Sequence, residues 1–345
     1  MNVAIDATPL SAGVGGIARY TAELHRALAA VFPDDRYTLL SDQPFPGRTT
    51  TLPDNWFDRR WWLAGLPREM RRIGAELFHG THFSVPYLPL RPSVMTIHDL
   101  SPWKDPRWHC AAQRVRRRAP FLAGLGIATL IVTPSEAVRA EVIGRWCISP
   151  GRVVAVPLAA SAHFRPASNP RGDYFLYVGA LEPRKNLPML IEAWRAVRNT
   201  REIDLVLAGK RRADFPELPD EPGLRVLGEV SEADLPALYS GATACLYPSL
   251  YEGFGLPVLE AMQCGAAVIA SRDAAISEVA AGAAVQVDAS DTRGWAEAML
   301  AAASNPAWTE TLRTRSLLRA RSFSWERTAR LTRQVYEEAL LRFGS

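Results

Sequence analysis

The sequence predicts an α/β protein with two doubly wound parallel sheets, and three observations support this prediction. Short apolar segments alternate with segments of helical periodicity, as in parallel sheets that helices cover on both faces. The alternation stops over residues 157–172, which are rich in Pro, Ala and Ser and are interpreted as a linker, and then starts again. A chain of 345 residues is long enough for two domains.

The first half opens with a strand, a glycine-rich turn and a helix. Residues 2–7 are apolar, residues 13–16 contain three glycines, and the apolar residues between 17 and 31 follow the 3.6-residue period. Further strands are expected at residues 37–40, 76–79, 94–98, 130–134 and 153–156. Most of these segments end in a polar or small residue, at the point where a parallel sheet presents its carboxyl edge.

The second half repeats this alternation. Strands are expected at residues 174–178, 204–208, 244–247 and 267–270. Helices are expected at residues 186–197, 231–240 and 257–264. Two doubly wound halves imply a cleft, and ligands of open α/β sheets bind beyond the carboxyl ends of the strands.

Composition excludes several classes of protein. The 40 basic and 36 acidic residues leave a net charge of only +4, which is weak for a nucleic-acid binder. Four cysteines without close pairing or metal-ligand spacing argue against a disulfide scaffold. The best apolar run, residues 121–132, is shorter than the ~20 residues of a membrane-spanning helix, and Asp6 interrupts any secretory signal. We therefore expect a cytoplasmic protein.

The strongest motif runs from Glu252 to Glu260, between the strand at 244–247 and the helix at 257–264. Gly253 and Gly255 allow backbone N–H groups to approach a ligand, and the positive end of a helix dipole favours phosphate. Glu260 is placed to accept hydrogen bonds from a ribose diol. Taken alone, Glu260 would be interpreted as a complement to the helix dipole. Together with Glu252 and both glycines, the pattern indicates a nucleotide site.

The second motif is residues 182–186, which follow the strand at 174–178. Arg184 offers a planar fork to phosphate oxygens and Lys185 a compact charge, so the pair can bind a diphosphate. Lys185 is one of only three lysines in the chain. Gly209 and Lys210 end the next strand in the same way, although that motif is weak and also fits an ordinary turn.

These two motifs resemble the signatures of the family 4 retaining glycosyltransferases, which have the GT-B fold. The two acidic residues that this family separates by seven others resemble Glu252 and Glu260. Weaker similarities extend over most of the chain, at residues 13–16, 96–100, 133–136 and 323–325. Residues 96–100 are similar to the His-Asp segment of the mannosyltransferase-like branch.

The resemblance implies a fold and a division into domains. Residues 1–165 would form an acceptor-side Rossmann-like domain, and residues 166–324 a second such domain that binds the nucleotide sugar. A tail helix at 325–345 would cross back to the first domain. The two domains would face each other across a cleft.

The resemblance also implies roles for single residues. Glu260 would hold the ribose, Glu252 would touch the transferred sugar, and the cations of Arg184 and Lys185 would neutralise the leaving diphosphate. With His98 near the reacting sugar, the catalytic residues would be Glu252, His98, Arg184 and Lys185. His98 and Asp99 would lie on the acceptor side. Donor contacts are implied for Gly15, Gly16, Gly179, Arg184, Lys185, Gly209, Lys210, Val230, Glu252, Gly253, Phe254, Gly255, Leu256 and Glu260.

The activity implied is retaining, metal-independent transfer of a hexose from a nucleotide sugar, without a further cofactor. GDP-mannose is the favoured donor, with UDP- and dTDP-hexoses next. The acceptor would be a hydroxyl of a glycan or a lipid-linked molecule in surface polysaccharide or glycoconjugate synthesis. No nucleic-acid partner is expected.

Three alternatives stay open. A non-catalytic regulator would bind nucleotide yet turn nothing over. A nucleotide-sugar epimerase can share the fold. An NAD(P)-dependent dehydrogenase is suggested by residues 13–18, which fit the dinucleotide fingerprint, with Asp42 as the ribose ligand. Against it, residues 8–12 separate the strand from the first glycine, and Asp42 lies beyond the usual spacing of ~20 residues.

Three further features are ambiguous. A lone histidine at a strand end, such as His98, is often structural. His79 and His82 lack a third ligand, so a metal site is rejected. Residues 59–62, with Arg68, Arg71 and Arg72, and residues 114–118 combine arginines with aromatic or apolar neighbours. Such segments suit peripheral contact with the inner membrane face, but buried tryptophans under a solvated arginine face explain them equally well.

Overall fold

The protein was analysed as a computed structural model, which describes residues 1–12, 15–46, 60–109, 112–168 and 172–343. The strands are β1 (Asn2–Asp6), β2 (Arg36–Leu40), β3 (Leu77–Gly80), β4 (Ser93–Thr96), β5 (Leu130–Thr133), β6 (Val153–Ala155), β7 (Tyr174–Val178), β8 (Asp204–Ala208), β9 (Leu224–Gly228), β10 (Ala244–Tyr247), β11 (Val268–Ser271) and β12 (Val285–Val287). The helices are α1 (Gly16–Val31), α2 (Leu66–Arg72), α3 (Ser101–Lys104), α4 (Gln113–Gly124), α5 (Glu136–Trp146), α6 (Leu187–Arg198), α7 (Leu235–Gly241), α8 (Leu256–Gln263), α9 (Ala274–Ala280), α10 (Thr292–Ser304), α11 (Pro306–Ala320) and α12 (Trp325–Phe343).

The chain divides into two compact units. Unit 1 comprises Met1–Leu158 and Ser324–Ser345, and unit 2 comprises Ala159–Phe323. The division falls seven residues before the predicted boundary at 165 (165 − 158 = 7). Residues 159–161 and Phe164 are buried in unit 2, where Gln263 donates hydrogen bonds to the carbonyls of Ser161 (3.0 Å) and Phe164 (2.8 Å). This part of the expected linker is therefore packed protein.

Unit 1 contains a six-stranded parallel sheet in the order β2-β1-β3-β4-β5-β6. Its central strands are buried on both faces, which explains why their sequences are continuous apolar runs rather than alternating ones. The chain changes direction between β1 and β3, because β1 connects to β2 on one side and β3 follows on the other. Residues at the carboxyl ends of these strands therefore lie beside the crevice where open α/β sheets bind ligands.

The tail helix α12 packs on α1 within unit 1. A buried polar network fixes it there: Tyr336 Oη lies 2.6 Å from His79 Nδ1, and His79 Nε2 lies 2.7 Å from Thr96 Oγ1. Tyr20 Oη completes the network at 3.0 Å from Thr96 Oγ1. Burial lowers the pKa of His79 to about 3, so its ring is neutral and serves as a structural hydrogen-bonding group.

Unit 2 contains a second six-stranded parallel sheet in the order β12-β11-β10-β7-β8-β9. Counted within the unit, this is the doubly wound order 3-2-1-4-5-6, whose direction changes between β7 and β10. The core between this sheet and its helices contains two fully buried tryptophans, Trp194 and Trp295. The predicted class, α/β with two parallel sheets, is confirmed.

The elements differ from the prediction in two instructive ways. Strands β9 and β12 were not predicted, because β9 is a partly exposed edge strand and β12 has only three residues. Helix α7 begins at Leu235 rather than residue 231, since residues 231–234 form a turn in which Ser231 Oγ lies 2.6 Å from Asp234 Oδ2.

None of the helices described for this chain has the length and apolar composition that crossing a membrane requires.

Candidate active site

The two motifs singled out in the sequence occupy the switch point of unit 2. Strands β7 and β10 are neighbours, and their connections leave toward opposite sides of the sheet. Residues 182–186 belong to the loop after β7, and residues 252–255 to the loop after β10. The fold therefore brings together, at one edge, segments that are about 70 residues apart in the sequence (252 − 182 = 70).

Ion pairs centred on Glu252 join these two loops. Lys185 Nζ donates a short hydrogen bond to Glu252 Oε1, and Arg184 Nη1 donates to Glu252 Oε2 at 3.1 Å. Ser249 Oγ donates to Glu252 Oε1 at 2.7 Å. A backbone hydrogen bond from Leu250 N to Arg184 O (2.8 Å) ties the loops a second time. The arginine–lysine pair and the Glu252 motif thus form one cluster.

The charges in this cluster are buried. Lys185 is 8% exposed, and the Glu252 side chain is 12% exposed. Burial opposes ionisation of Glu252, but Lys185 and Arg184 outweigh it and lower the pKa of this carboxyl to about 2. Burial and the neighbouring Arg184 lower the pKa of Lys185, while Glu252 favours its charged form. Each charge in the cluster therefore depends on its partner.

Glu182 forms the second carboxylate of the cluster. Its oxygens lie 2.6 Å from Arg184 Nε and 3.3 Å from Arg212 Nη1. Arg184 is therefore held by two carboxylates, with its guanidinium fixed between Glu182 and Glu252. Arg212 was not predicted. Its pairing with Glu182 spans thirty residues (212 − 182 = 30), and no local pattern in the sequence reveals it.

Asp273 is a further residue that the sequence analysis missed. Its Oδ2 accepts a hydrogen bond from Glu252 N at 3.2 Å, and its Oδ1 accepts from Ala275 N and Ile276 N at the start of α9. Burial and the charge of Glu252 raise the pKa of Asp273 to about 6. Asp273 follows β11 by two residues, so the rule that strand ends carry functional residues could have found it.

Two glycines at this edge are required by close backbone approach or by conformation. A Cβ atom on Gly209 would lie 1.9 Å from the carbonyl oxygen of Gly179, so the ends of β8 and β7 can meet only because residue 209 has no side chain. Gly255 precedes α8 with φ +95°, a left-handed conformation that glycine adopts without strain. These positions bring backbone, rather than side chains, to the edge of the sheet.

The remaining predicted donor residues of unit 2 lie along the same edge but differ in exposure. Lys210 is exposed and Val230 is half-buried, each following one of the adjacent strands β8 and β9. Gly253, Phe254 and Gly255 are buried, while Leu256 is half-buried at the start of α8.

Glu260 lies on α8 and is almost completely buried. It is 2% exposed, and Tyr239 Oη donates a hydrogen bond to its Oε2 at 3.0 Å. This carboxylate is therefore held by groups of the protein itself. Its predicted contact with a ribose therefore requires that donor binding move the groups that cover it.

The acceptor-side residues predicted in the sequence lie in unit 1. His98 Nε2 donates to the carbonyl oxygen of Thr81 at 2.7 Å, and its ring stands edge-on to Tyr20 with the ring centroids 4.9 Å apart. Burial lowers the pKa of His98, so the neutral ring keeps its proton on Nε2 and presents Nδ1 as an acceptor. Asp99 Oδ1 accepts from Ser101 N (2.9 Å) and Ser101 Oγ (2.6 Å).

Gly15 and Gly16, the predicted phosphate contacts of the first half, are exposed at the start of α1. Gly15 has φ +124° and caps the helix. Gly13 and Val14, which begin the predicted glycine loop, lie outside the described residues.

Unit 1 also gathers titratable residues that were not predicted as site residues. Asp6, at the end of β1, is 2% exposed, and its Oδ1 accepts from Thr8 Oγ1 at 2.6 Å. Burial raises the pKa of Asp6 to about 6 and lowers that of His82 to about 4. Both follow central strands of the sheet and lie at the same edge as His98.

The aromatic segment at 61–62 does not form an exposed membrane contact. Trp61 is 6% exposed, and the ring of Trp62 packs edge-on against Phe78, with the centroids 6.3 Å apart. The alternative of buried tryptophans therefore applies to Trp61, Trp62 is half-buried, and Arg59 lies outside the described residues. Across the described ranges, no group of three His, Cys, Asp or Glu side chains could hold a metal ion.

Comparison with known proteins identifies the family. The family model described as "Glycosyltransferase Family 4" matches residues 14–164, and "Glycosyl transferases group 1" matches residues 172–305. The "O-antigen chain mannosyltransferase B" of Escherichia coli is 34% identical over 283 residues, covering 76% of this chain and 74% of that protein. The chain belongs to the family 4 glycosyltransferases.

Solved structures place this family 4 glycosyltransferase in the GT-B fold class, as predicted. A sucrose-phosphate synthase from Thermosynechococcus elongatus has a TM-score of 0.74 at 20% identity, covering 100% of both chains. The Anabaena protein Alr3699/HepE, solved in complex with UDP-glucose, has a TM-score of 0.74 at 17% identity, covering 98% of this chain and 100% of its own. At these identities the structures bear on the fold alone.

The buried pairing of Glu252 leads to a prediction about stability and pH. Glu252→Gln removes the carboxylate that pairs with Lys185 and leaves Arg184 paired with Glu182, so we expect unfolding free energy at pH 7 to fall by about 3 kcal/mol. The pKa of Glu252 is lowered on folding, from 4.5 to about 2. Its contribution to stability is therefore fully present above pH 4.5 and is lost as the pH falls toward 2. The two proteins should converge in stability over that range.

The measurement is urea unfolding at a series of pH values, with Glu202→Gln as the control. Glu202 is an exposed residue of the same unit, and its substitution should change stability by less than about 0.5 kcal/mol. A loss in Glu252→Gln no larger than in this control would contradict the ion-pair assignment.

Proposed function

We propose that this protein transfers a hexose, in the first place mannose, from a nucleoside diphosphate sugar to a hydroxyl group, with retention of anomeric configuration. The acceptor is a glycan or a lipid-linked molecule in surface polysaccharide or glycoconjugate synthesis. The observation that carries the proposal is the contact of Arg184 and Lys185 with Glu252 at the switch point of unit 2. The mannosyltransferase relative at 34% identity supports the choice of sugar.

The chemistry follows from the charge that develops during transfer. As the bond between the anomeric carbon and the diphosphate oxygen breaks, positive charge grows on the sugar and negative charge on the leaving diphosphate. Arg184, Lys185 and the N-terminal end of α8 stabilise that negative charge. The acceptor hydroxyl attacks the same face of the sugar, and its proton passes to the departing phosphate oxygen.

Donor binding exchanges one set of anionic partners for another. In the ligand-free protein, Glu252 and Glu182 neutralise Arg184 and Lys185. The oxygens of a diphosphate take over part of this coordination, which frees Glu252 to contact the transferred sugar. Because the cations are already held in place, little side-chain ordering is needed when the donor binds.

The same cations serve in place of a bound metal, which makes the proposed reaction metal-independent. Glu260 is the proposed ribose ligand, and Gly179, Gly209, Lys210 and Val230 lie along the strand ends where the base and ribose would extend. The contributions of Gly15, Gly16, His98 and Asp99 stay predictions.

The alternatives receive less support. The comparisons favour a transferase over an epimerase, since the relatives and family models are described as glycosyl- or mannosyltransferases. For a dehydrogenase, the glycines should follow β1 directly. A 3-10 turn over Thr8–Ala12 stands between β1 and the glycines, and the sheet of unit 1 lacks the dinucleotide-binding strand order.

Removal of the Lys185 charge should slow transfer. We expect Lys185→Ala to lower kcat at least a hundredfold, because about 3 kcal/mol of charge stabilisation at the leaving group is lost. Glu252→Ala should lower kcat equally, with the fall in stability described above. Transfer is measured as release of nucleoside diphosphate in the presence of acceptor, and circular dichroism verifies folding.

Lys104→Ala is the matched control for these variants. Lys104 pairs with Glu141 on the surface of unit 1, and its side chain is 39% exposed. Its substitution should leave kcat within twofold of the wild type. Near-normal turnover in folded Lys185→Ala would refute the assignment.

The donor is tested by thermal shift against nucleoside diphosphates. A ligand at 100 times its Kd stabilises a protein by about 2.7 kcal/mol. Because GDP-mannose is the favoured donor, GDP is expected to stabilise the protein more than UDP or dTDP at equal concentration. The same panel repeated on Lys185→Ala should give a smaller shift. If UDP or dTDP produces the largest shift, GDP-mannose is the wrong donor; if none shifts the wild type, the nucleotide site is wrong.

Peripheral contact with the inner membrane face is also proposed, now through α4 rather than through the tryptophans. Phe121 and Leu125 are 58% and 65% exposed, next to the exposed cations of Arg114 and Arg117. Each cation near an anionic surface contributes about 1 kcal/mol. The protein should therefore co-sediment at low salt with vesicles containing phosphatidylglycerol, and not with phosphatidylcholine alone. Equal recovery with both vesicles would contradict this contact.

A further inference from the structure

A cavity in unit 1 lies against helix α4, apart from the cluster of unit 2. It has a volume of about 650 Å³ and is open to solvent, which is within the size range of small-molecule sites. Its lining residues are Tyr87, Gln113, Arg114, Arg117, Arg118 and Phe121. Three cations, two aromatic rings and an amide thus converge on one space.

The three arginines occupy one face of α4. Positions 114, 117, 118 and 121 follow the i, i+3, i+4, i+7 spacing, so one stripe of α4 forms most of the cavity lining and Tyr87 adds to it from outside the helix. Arg114 and Arg118 are a like-charged i, i+4 pair, an arrangement that destabilises an isolated helix. Within the described ranges, no carboxylate forms an ion pair with these three arginines, whereas Arg26, Arg107 and Arg139 in the same unit each have one. This face of α4 therefore presents three positive charges to the cavity, which suits an anionic ligand.

Arg118 is held in place for such a partner. Its guanidinium carbon lies 5.4 Å from the centroid of the Trp62 ring, so the planar group rests against an aromatic face. Its Nε is buried and finds no hydrogen-bond acceptor among the described residues. A buried donor without an acceptor is destabilising, so a ligand oxygen that accepted from this N–H would stabilise the protein.

The cavity adjoins the edge of the unit 1 sheet where ligands of such folds bind. Arg118 acts electrostatically on Asp6 and His82, and Arg114 acts on Asp42. All three of these residues follow strands at the carboxyl edge. An anion in the cavity would therefore lie on the strand-end side of the unit 1 sheet.

The number of donors indicates the kind of anion. A carboxylate offers two oxygens, whereas three guanidinium groups and the Tyr87 hydroxyl can serve the larger oxygen set of a phosphate or diphosphate. Phe121 and Leu125, at 58% and 65% exposure, provide apolar surface beside the cations.

We propose that the cavity formed by Tyr87, Arg114, Arg117 and Arg118 binds a phosphate or diphosphate group carried by the acceptor. The site thereby selects phosphorylated acceptors and positions their reacting hydroxyl. This inference rests on the proposed transferase function. The phosphate can come from a lipid headgroup or from a water-soluble phosphorylated acceptor, because both present the same oxygens.

The test is calorimetric titration of the full chain with inorganic pyrophosphate, in the presence of saturating GDP so that the donor site is occupied. We expect one bound pyrophosphate for the wild type, and at least tenfold weaker binding for Arg117→Gln and for Arg118→Gln. Arg118→Lys should be intermediate, because lysine keeps the charge but loses the planar fork. Arg26→Gln is the matched control: Arg26 is an exposed arginine paired with Glu23, and its substitution should change nothing.

A vesicle experiment then distinguishes the two sources. If pyrophosphate displaces the protein from phosphatidylglycerol vesicles and Arg118→Gln weakens vesicle binding, the phosphate belongs to a lipid headgroup. If pyrophosphate binds in the arginine-dependent manner without affecting vesicle recovery, a soluble phosphorylated acceptor is the source. Pyrophosphate binding that is absent, or equal in wild type, Arg117→Gln and Arg118→Gln, overturns the proposal.

The outcome is separable from that of the proposed function. If no nucleoside diphosphate binds, the donor assignment fails, yet the effect of Arg117→Gln and Arg118→Gln on pyrophosphate binding still reports on the cavity. If the donor binds and the two variants match the wild type, only the acceptor-phosphate site is wrong.

Discussion

The pairing of Glu252 with Arg184 and Lys185 is the interaction on which the candidate site depends. It joins the loops after β7 and β10, and it lets three charged side chains persist where water is largely excluded. The charged forms of Lys185 and Glu252 depend on each other, since burial alone would favour a neutral lysine and a protonated carboxyl. The cluster is therefore preformed and neutralised by its own carboxylates, and in the proposed function ligand oxygens replace part of that coordination.

This arrangement changes how the functional residues should be interpreted. Glu182 contacts Arg184, Asp273 accepts from the backbone N–H of Glu252, and Arg212 contacts Glu182. In the proposed function these three residues are therefore positioning residues. The pKa of Asp273 is raised and that of Glu252 is lowered, so two neighbouring carboxyl groups differ in how readily they ionise. Burial dominates for Asp273, whereas Glu252 has two cations as neighbours.

Much of the fold could be predicted from local sequence, because buried parallel strands are continuous apolar runs and the apolar residues of helices follow the 3.6-residue period. β9 escaped prediction because its middle residues are exposed at the sheet edge, and β12 because three residues carry no period. The two loops of the site were identifiable because each follows a strand. Arg212 and the α4 cavity were not, since their partners are set by tertiary contacts. Asp273 lies two residues after β11, so the same strand-end rule applied to it but was not used. The tryptophans at 61–62 illustrate a further limit. A segment of aromatic and basic residues does not by itself reveal whether its aromatic side chains face the core or solvent.

The chain order of the two units bears on biosynthesis. Unit 2 is one continuous segment, whereas unit 1 takes its last helix, α12, from the end of the chain. Tyr336 reaches the buried His79 only when that helix has docked. During synthesis, unit 1 can be completed only after α12 has been translated. Unit 2 is one continuous segment and can fold as soon as it has emerged from the ribosome. The part translated first is therefore completed last.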